Sequence, residues 1–558
     1  MIFEDAMTIE GGIGIRDGEG KTSQILFKDN ATINKNGQEY AILAKDGGMN
    51  PVLEIYFSGK ENTVQGISAQ GSTAAGSKTI TTIFNNTNSK NIINGEIKAH
   101  NVFASNFTAK GTINIIFKGS NNTINGKIIA SGGTNNLTFE GSGTIADNIE
   151  QTNNGVNNLV IAGSGTVLTL NGKSGGTTHQ ITSLSSTGAL NQLILNNTTG
   201  TMNTIIQNTL NAPSLDIKLN GTSSNNINLT LQSGGNIIQS ISLEENSMGN
   251  KIFLSSGTTT INQQIIPNQN TDVTFELGNN VELKFAGGVD SKLDSENKGS
   301  TILTLTSSSN FSSISGAKID ITNLNFNQTG IAQTLNVKNT IANFGTITIN
   351  NTNGANLTID ASNNAVHTSI DKINGNNLSL KFNGHGATLA IMGENTTIKS
   401  VSIANDSQAT INLSGSNTKS RVASARKTLT IGSSGTSGAF SGNLNAIIFA
   451  SRTTADKIVI DGTGSTGSIT ISAKGDINEI LSITYDPSGS NNVQVAEIKN
   501  VNATPNPNNV KVQGGLSEID GVVLDLKLQD DSNGNYFIGK SVRQIYPTSF
   551  KLSSNSKL

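Results

Sequence analysis

Two short motifs carry residue types that could perform acid–base hydrolysis. Gly384-His385-Gly386 places a histidine between glycines, and Asn270-Thr271-Asp272 places a carboxylate beside an amide. An inverting glycoside hydrolase needs two carboxyl groups about 6.5–9.5 Å apart around a water molecule. The two motifs lie far apart in the sequence and no Asp-Asp pair lies between them, while Asp530-Asp531 falls in a predicted turn. We attribute both motifs to coincidence in a Gly- and Asn-rich chain, and predict no catalytic residue and no enzyme.

The sequence gives no better support for phosphate binding, metal binding or cysteine chemistry. Gly20-Lys21-Thr22 looks like the end of a phosphate-binding loop, but Ile15 stands where that motif requires its first glycine. We interpret it as a turn. Cys is absent, which excludes a disulfide framework, a thiolate nucleophile and a Cys-based zinc site. The sequence predicts no metal, no cofactor and a surface or corner position for each of the dispersed histidines, namely His100, His179, His367 and His385.

Composition narrows the class of protein. Only 14% of the 558 residues are charged, against roughly 25% in an average domain, so the surface must be neutral and polar. Because 34% of the residues are apolar, the chain can bury a core and is not predicted to be disordered. A net charge of −2 gives no footprint for nucleic acid, which we exclude as a partner. No apolar run approaches a bilayer span, so we expect no stable membrane insertion.

A degenerate repeat of 22 residues organises the chain. Ile115-Ile116-Phe117-Lys118-Gly119-Ser120 returns as Leu137-Thr138-Phe139-Glu140-Gly141-Ser142 and again, more weakly, from Leu159 to Ser164. A second repeated element, Thr followed by Ile or Val, comes after each copy of the first: Thr123-Ile124, Thr144-Ile145 and Thr166-Val167. The same spacing relates Leu193 to Leu215, Leu335 to Leu357 and Leu389 to Ile411. Each unit therefore contains at least two short strands.

Alternation with a period of two, as in Thr346-Ile347-Thr348-Ile349, indicates half-buried strands. Asn-Gly pairs between them usually indicate hairpins, and hence an antiparallel sandwich or barrel. Repetition at one full unit instead favours coils that return over themselves, with parallel strands and stacked equivalent side chains. We expect the glycines of these pairs to supply positive φ at tight corners: Asn94-Gly95, Asn125-Gly126, Asn171-Gly172 and Asn374-Gly375.

The predicted fold is all-β, a right-handed parallel β-helix of roughly 22-residue coils with a C-terminal β-hairpin cap. We expect a less regular start over residues 1–80, β-helix repeats over 81–500, and a hairpin cap over 501–558. The hairpin is predicted from the alternating segment Val522 to Leu528, followed by a turn and by Tyr536-Phe537-Ile538. Solenoids need such caps because a terminal coil otherwise exposes unpaired strand edges.

Two charged excursions interrupt the neutral repeats, one from Asp290 to Lys298 and one basic, comprising Lys419, Arg421, Arg426 and Lys427. Loops that leave a rigid scaffold often carry binding functions. A solvated loop is the simpler interpretation of both segments.

The 22-residue Leu-x-Phe-x-Gly-Ser coils, the absence of Cys and the alternating C-terminal segment resemble autotransporter passenger domains. The style is similar to large repetitive passengers of Helicobacter and Campylobacter type, including vacuolating-cytotoxin-like ones. The resemblance implies a right-handed β-helix, a location on the bacterial cell surface or secretion, and adhesion. The acidic N-terminus shows no signal peptide and no C-terminal membrane barrel is evident, so we expect the passenger portion only, with its outer-membrane β-barrel encoded outside this chain.

The leading functional hypothesis is a non-enzymatic surface-displayed or secreted passenger that binds a host cell-surface protein or glycan. One alternative is a toxin-like passenger that oligomerises or acts on host membranes. It would need exposed apolar segments, and the stretch from Ile25-Leu26-Phe27 to Tyr40-Ala41-Ile42-Leu43 is the place to look. The other is a carbohydrate-active β-helix enzyme, since the motifs around His385 and Asp272 resemble those of polygalacturonases.

Overall fold

A computed structural model of the chain consists of strands and turns, and the residues that it describes include no helix. The described residues are 1–15, 20–45, 50–71, 76–101, 109–291, 299–306, 311–338, 341–404, 407, 409–412, 428–437, 440–441, 446–449, 457–463, 469–472, 493–499, 510–513, 518–519, 522–530 and 536–544. They belong to two compact units. The N-terminal unit comprises 1–306 with 316–321, and the C-terminal unit comprises 307–315 with 322–558.

Three parallel sheets, A, B and C, build the N-terminal unit, and the chain visits them in that order in each early coil. Sheet A contains Ile2–Phe3, Thr22–Phe27, Val52–Phe57, Lys78–Phe84, Gly111–Phe117, Thr134–Phe139, Val156–Ile161 and Ser183–Ser186. Sheet B contains Met7–Ile9, Ala31–Ile33, Glu61–Val64, Lys90–Ile93, Asn121–Ile124, Gly143–Ile145, Val167–Asn171, Asn191–Asn196, Asn211–Asn220, Asn236–Leu243, Gly257–Ile261 and Val281–Phe285. Sheet C contains Ile13–Ile15, Ile42–Ala44, Ile67–Gly71, Ile97–Asn101, Ile128–Ser131, Ile149–Thr152, Thr177–Ile181, Met202–Ile206, Ile227–Leu231, Asn250–Leu254, Asp272–Leu277, Val289–Asp290 and Ser300–Leu305.

The strands from residue 311 onward are grouped as sheets D, E and F. Sheet D contains Phe311–Gly316, Gln333–Lys338, Ala355–Ala361, Leu378–Gly384, Ser400–Ile403 and Phe440–Ser441. Sheet E contains Lys318–Phe326, Ile341–Ile349, Val366–Asn374, Ala387–Ile391, Ala409–Asn412, Ala446–Phe449, Ile469–Ser472 and Val510–Gln513. Residues 318–321 of the first strand of sheet E belong to the N-terminal unit, where Ile319 and Asp320 pair with Val289–Asp290 of sheet C. Sheet F contains Asn395–Ile398, Thr428–Ser437, Lys457–Thr463, Val493–Lys499, Glu518–Ile519, Val522–Asp530 and Tyr536–Gln544.

The predicted stack of coils is confirmed as a β-solenoid of about 16 turns, with coils about 24 residues apart. Coil length varies. Successive strands of sheet A are offset by 33 residues between Thr81 and Asn114, but by 22 between Asn114 and Asn136. The 22-residue period is therefore the short form of a coil that lengthens where its corners carry extra residues.

The predicted register is confirmed where coils are short and is wrong where corners lengthen. Phe117 pairs with Phe139, and Leu335 pairs with Leu357. Thr144, however, pairs with Thr169 and not with Thr166. The Thr166 hydroxyl instead donates to the Ala162 carbonyl at 2.6 Å, within a long corner that shifts the following strand. Sequence spacing alone cannot reveal such insertions.

Inward side chains of successive coils form columns of like residues. Every second residue of a strand belongs to such a column, so buried and half-exposed residues alternate along the strand. In sheet A six phenylalanine rings stack with centroids 4.8–5.1 Å apart and planes within 20°. That separation matches the spacing of neighbouring strands, about 4.8 Å. The column starts at the half-exposed Phe3 and buries the five rings that follow in a thin core, namely Phe27, Phe57, Phe84, Phe117 and Phe139.

The prediction of positive φ at the Asn-Gly corners is right for Gly375, with φ of 117°, and wrong for Gly95, Gly126 and Gly172. These glycines are required for a different reason. A Cβ on Gly126 would lie 2.2 Å from the carbonyl oxygen of Gly95, in the coil that it stacks on. Gly95 and Gly126 are therefore needed because the backbones of successive coils approach closely, whereas a Cβ on Gly172 would meet the side-chain amide of Asn197 at 2.0 Å.

The C-terminal hairpin is confirmed. Val522–Asp530 pairs antiparallel with Tyr536–Gln544 from the Val522–Gln544 pair to the Asp530–Tyr536 pair, whereas the repeats pair in parallel. Val493–Lys499 also pairs antiparallel with Tyr536–Gln544. The role of the hairpin as a cap remains a prediction.

Candidate functional site

The two motifs that suggested hydrolysis have structural positions: one forms a turn, and the other accepts a hydrogen bond from the backbone. His385 is exposed in the turn between two strands, flanked by Gly384 and Gly386 with φ of 78° and 92°. Asp272 begins a strand of sheet C, and its carboxylate accepts a hydrogen bond from the backbone N–H of Gly249 in the preceding coil. Burial raises the pKa of Asp272, and this hydrogen bond opposes the rise. His385 belongs to the C-terminal unit and Asp272 to the N-terminal unit.

The surface position predicted for the histidines is wrong for His179. Its side chain points inward from sheet C and is fully buried, and neither ring nitrogen has a hydrogen-bond partner. Burial lowers the pKa of His179 to about 4, and the proximity of the Asn171 backbone and the negative charge of Asp147 offset part of this without a hydrogen bond of normal geometry. The ring is therefore neutral at pH 7 and fills the core as an apolar group would.

His100 offers a serine–histidine contact that sequence reasoning missed. The Nε2 atom of His100 lies 3.5 Å from the Oγ atom of Ser68, which is fully buried. A nucleophile and its base normally lie about 2.6–3.2 Å apart. Burial, and secondly the charge of Lys98, lower the pKa of His100. The longer distance and the buried hydroxyl make this a packing contact.

Two carboxylates meet in register on neighbouring strands, Asp290 and Asp320. The side chain of Asp320 is only 5% exposed, and its Oδ2 atom lies 3.0 Å from the Nζ atom of Lys318. This ion pair compensates the buried charge without a ligand. Nothing in the local sequence signals the juxtaposition, because the two aspartates lie on different coils.

The apolar N-terminal stretch proposed for membrane action contributes to the core, since Phe27, Tyr40, Ala41 and Ile42 are all buried. The basic excursion from Lys419 to Lys427 lies outside the described residues, as does 292–298 of the other charged excursion.

The outward side of sheet A presents a regular surface, which we call the amide face. It comprises the half-exposed side chains of three parallel columns over five successive strands. The columns are Thr79, Thr112, Thr134 and Val156; Thr81, Asn114, Asn136, Asn158 and Ser183; and Ile83, Ile116, Thr138, Val160 and Ser185.

An uninterrupted hydrogen-bonded ladder runs along the central column. The Ser183 hydroxyl donates to Asn158 Oδ1 at 2.6 Å, and Asn158 Nδ2 donates to Asn136 Oδ1 at 2.8 Å. Asn136 donates in turn to Asn114 at 2.8 Å, and Asn114 donates to the Thr81 hydroxyl at 3.1 Å. Each amide is therefore fixed in orientation by its neighbours on both sides.

The five strands of the amide face carry no outward charged side chain, whereas the preceding strand of sheet A bears Glu54 and the outward surfaces of sheets B and C also bear charges. Sheet B bears Lys218, which pairs with Glu244, and sheet C bears Lys251 and Glu276, which pair at 2.8 Å. Charged side chains border the amide face at Glu54, which stands opposite Thr81 on the preceding strand, and at the corner residues Lys118 and Glu140. The arrangement can present ordered, neutral hydrogen-bonding groups at a regular interval, and its three columns contain no Asp, Glu, His or Lys side chain that could transfer a proton or activate the serine hydroxyls.

Within the described ranges, no cluster of three or more His, Asp or Glu side chains could hold a metal ion. The same part of the chain contains no helix long and apolar enough to cross a membrane. Comparison with protein-family models gives no match, and comparison with curated proteins gives no relative.

Proposed function

We propose that this chain is a non-enzymatic binding scaffold, the passenger portion of a surface-displayed or secreted bacterial adhesin, and that its amide face contacts the host surface. The observation that carries the proposal is the ladder from Thr81 to Ser183, in which neutral hydrogen-bonding groups are fixed in orientation over five strands. Fixed groups lose little conformational entropy on binding, and repeated weak contacts add up through avidity.

The solenoid itself supports a scaffolding role. Successive coils stack directly on one another, so the fold positions similar groups at a constant interval without needing a large globular core. The neutral composition and the absence of Cys are compatible with a chain that is exported before it folds. Export through an outer-membrane barrel and adhesion are the parts of the proposal that come from resemblance to autotransporter passengers.

Attachment of bacteria to cultured host cells tests this function. A deletion strain should attach at least about fivefold less than the parent, and the full chain with Asn136→Lys should fail to restore attachment, since a charge would stand at the centre of the amide face. Thr144→Lys is the matched control, because Thr144 is half-exposed and points outward from sheet B in the same coil. Full attachment of the deletion strain would refute the proposal.

A further inference from the structure

We infer that the ligand of the amide face is an extended, uncharged, β-linked polysaccharide that lies along the amide column. This inference rests on the function proposed above and specifies its ligand. It follows from the hydrogen-bonding groups left over by the ladder, from the partly apolar column beside them, and from the absence of outward charged side chains on these five strands.

The ladder uses only half of the hydrogen-bonding capacity of each asparagine side chain. Asn136 uses one N–H to reach Asn114 and one acceptor site to receive the bond from Asn158. A side-chain amide has two N–H donors and two acceptor sites, so one of each remains for a ligand. Asn114 and Asn158 repeat this arrangement on the strands before and after. A sugar hydroxyl both donates and accepts, and it can therefore satisfy both remaining groups.

The neighbouring column provides the apolar component. Ile83, Ile116 and Val160 point outward beside the amides and are half-exposed, with Thr138 standing between Ile116 and Val160. A pyranose ring presents C–H groups on its faces and hydroxyls at its edges, and it matches an apolar strip beside a polar one. Ligand sites generally combine apolar contact area with a few placed polar groups.

Charge and geometry exclude the competing ligands. An anionic glycan or a charged peptide would have to shed water from its charges onto a face that offers no counter-charge. An extended peptide that adds to a sheet needs unpaired backbone groups at an edge, but on this face the backbone N–H and C=O groups lie within the ladders between strands. The amides stand opposite one another on successive strands, at the strand spacing of about 4.8 Å, and this regular interval favours an extended polymer over a coiled one.

Native gel electrophoresis of the full chain in gels that contain a soluble polysaccharide tests the inference. Hydroxyethyl cellulose, an uncharged β-linked glucan, should retard the chain, and heparin and the α-linked glucan dextran should not. Asn136→Leu keeps the size of the side chain but removes its hydrogen-bonding groups, and Asn136→Lys adds a charge. Both should weaken the retardation about tenfold or more, the loss expected from about 1.4 kcal/mol of binding free energy. Thr144→Val and Thr144→Lys on sheet B should leave it unchanged.

Three outcomes would overturn the inference: no retardation in hydroxyethyl cellulose, equal retardation in heparin or dextran, or equal loss in the Thr144 and Asn136 variants. Circular dichroism and thermal unfolding of each variant verify the fold. Host-cell attachment that depends on Asn136, found without retardation in hydroxyethyl cellulose, would reject the polysaccharide and retain the proposed function. Loss of both would reject the two together.

Discussion

Asn136 donates a hydrogen bond from its side-chain Nδ2 atom to the Oδ1 atom of Asn114 at 2.8 Å, one coil earlier in the chain. The two residues are 22 positions apart and directly opposite each other in sheet A. The relationship couples the fold to the proposed binding surface, because the stacking that stabilises the coils also aligns the outward amides. The same geometry inside the solenoid aligns the buried asparagines and the phenylalanine rings.

Truncation of Phe117 to alanine should lower the free energy of unfolding by about 3–5 kcal/mol. Its fully buried ring stacks between Phe84 at 5.1 Å and Phe139 at 4.9 Å, and its removal leaves a cavity within the column. Ile116→Ala is the control on the same strand, since Ile116 points outward and should cost less than about 1 kcal/mol. Urea unfolding followed by circular dichroism measures both, and equal losses would contradict the assigned orientation of the strand.

Two asparagine ladders with similar bonds differ in burial and should differ in energy. Asn91 is fully buried, donates to Asn122 Oδ1 at 2.8 Å and accepts from Asn62 at 2.9 Å. Asn91→Ala leaves buried polar groups on both neighbours without this partner and should cost about 2–4 kcal/mol. Asn125 donates to Asn94 at the same 2.8 Å in the open, so Asn125→Ala should cost less than about 0.5 kcal/mol. Urea unfolding measures the loss of unfolding free energy in both variants. A greater loss in Asn125→Ala than in Asn91→Ala would overturn the burial argument.

Stability should fall with acid because of His179. Its pKa is about 4 in the folded chain, against an ordinary value of 6.5, so below pH 6.5 the unfolded chain binds a proton that the folded chain excludes. The free energy of unfolding should therefore decrease from pH 6.5 to pH 4, with about 3 kcal/mol attributable to this group. His179→Leu should remove that part of the slope.

The control for this titration is His367→Gln, because His367 is exposed at the surface of the C-terminal unit. Urea unfolding at half-unit steps of pH gives the slope for the parent and both variants. An identical slope in the parent and in His179→Leu would show that His179 is accessible to protons in the folded chain.

Gly126 should resist substitution although its φ angle is ordinary. An added Cβ would lie 2.2 Å from the Gly95 carbonyl oxygen, so Gly126→Ala should force the two coils apart and lower the thermal midpoint by several degrees. Gly14→Ala is the comparison, since a Cβ there would meet only the Leu43 carbonyl oxygen, at 3.6 Å. Scanning calorimetry of the two variants tests whether close stacking, and not backbone conformation, selects glycine at this corner.

The sequence predicted the parallel coils because Phe117 and Phe139 repeat at one full period, and like residues must stack when strands run parallel. It could not place Thr166, because an insertion at a corner shifts the register without changing the alternation of the strand. It could not place His179 in the core either. A single histidine does not mark the inward face of a strand in the sequence, and its burial follows only from its inward position in the folded coil. The amide face also had no local signature, because its columns arise between coils.

Engineered disulfides in this Cys-free chain test the stacking of parallel coils most directly. Ile116 and Thr138 are opposite each other in sheet A, where paired Cα atoms lie about 4.8 Å apart, within the range that a disulfide spans. The double variant Ile116→Cys/Thr138→Cys should form an intramolecular disulfide under mild oxidation, detected by mass spectrometry after thiol alkylation. Ile116→Cys/Thr134→Cys, displaced by four residues or roughly 13 Å along the strand, should stay reduced. A disulfide in the displaced pair and none in the opposed pair would contradict the in-register solenoid.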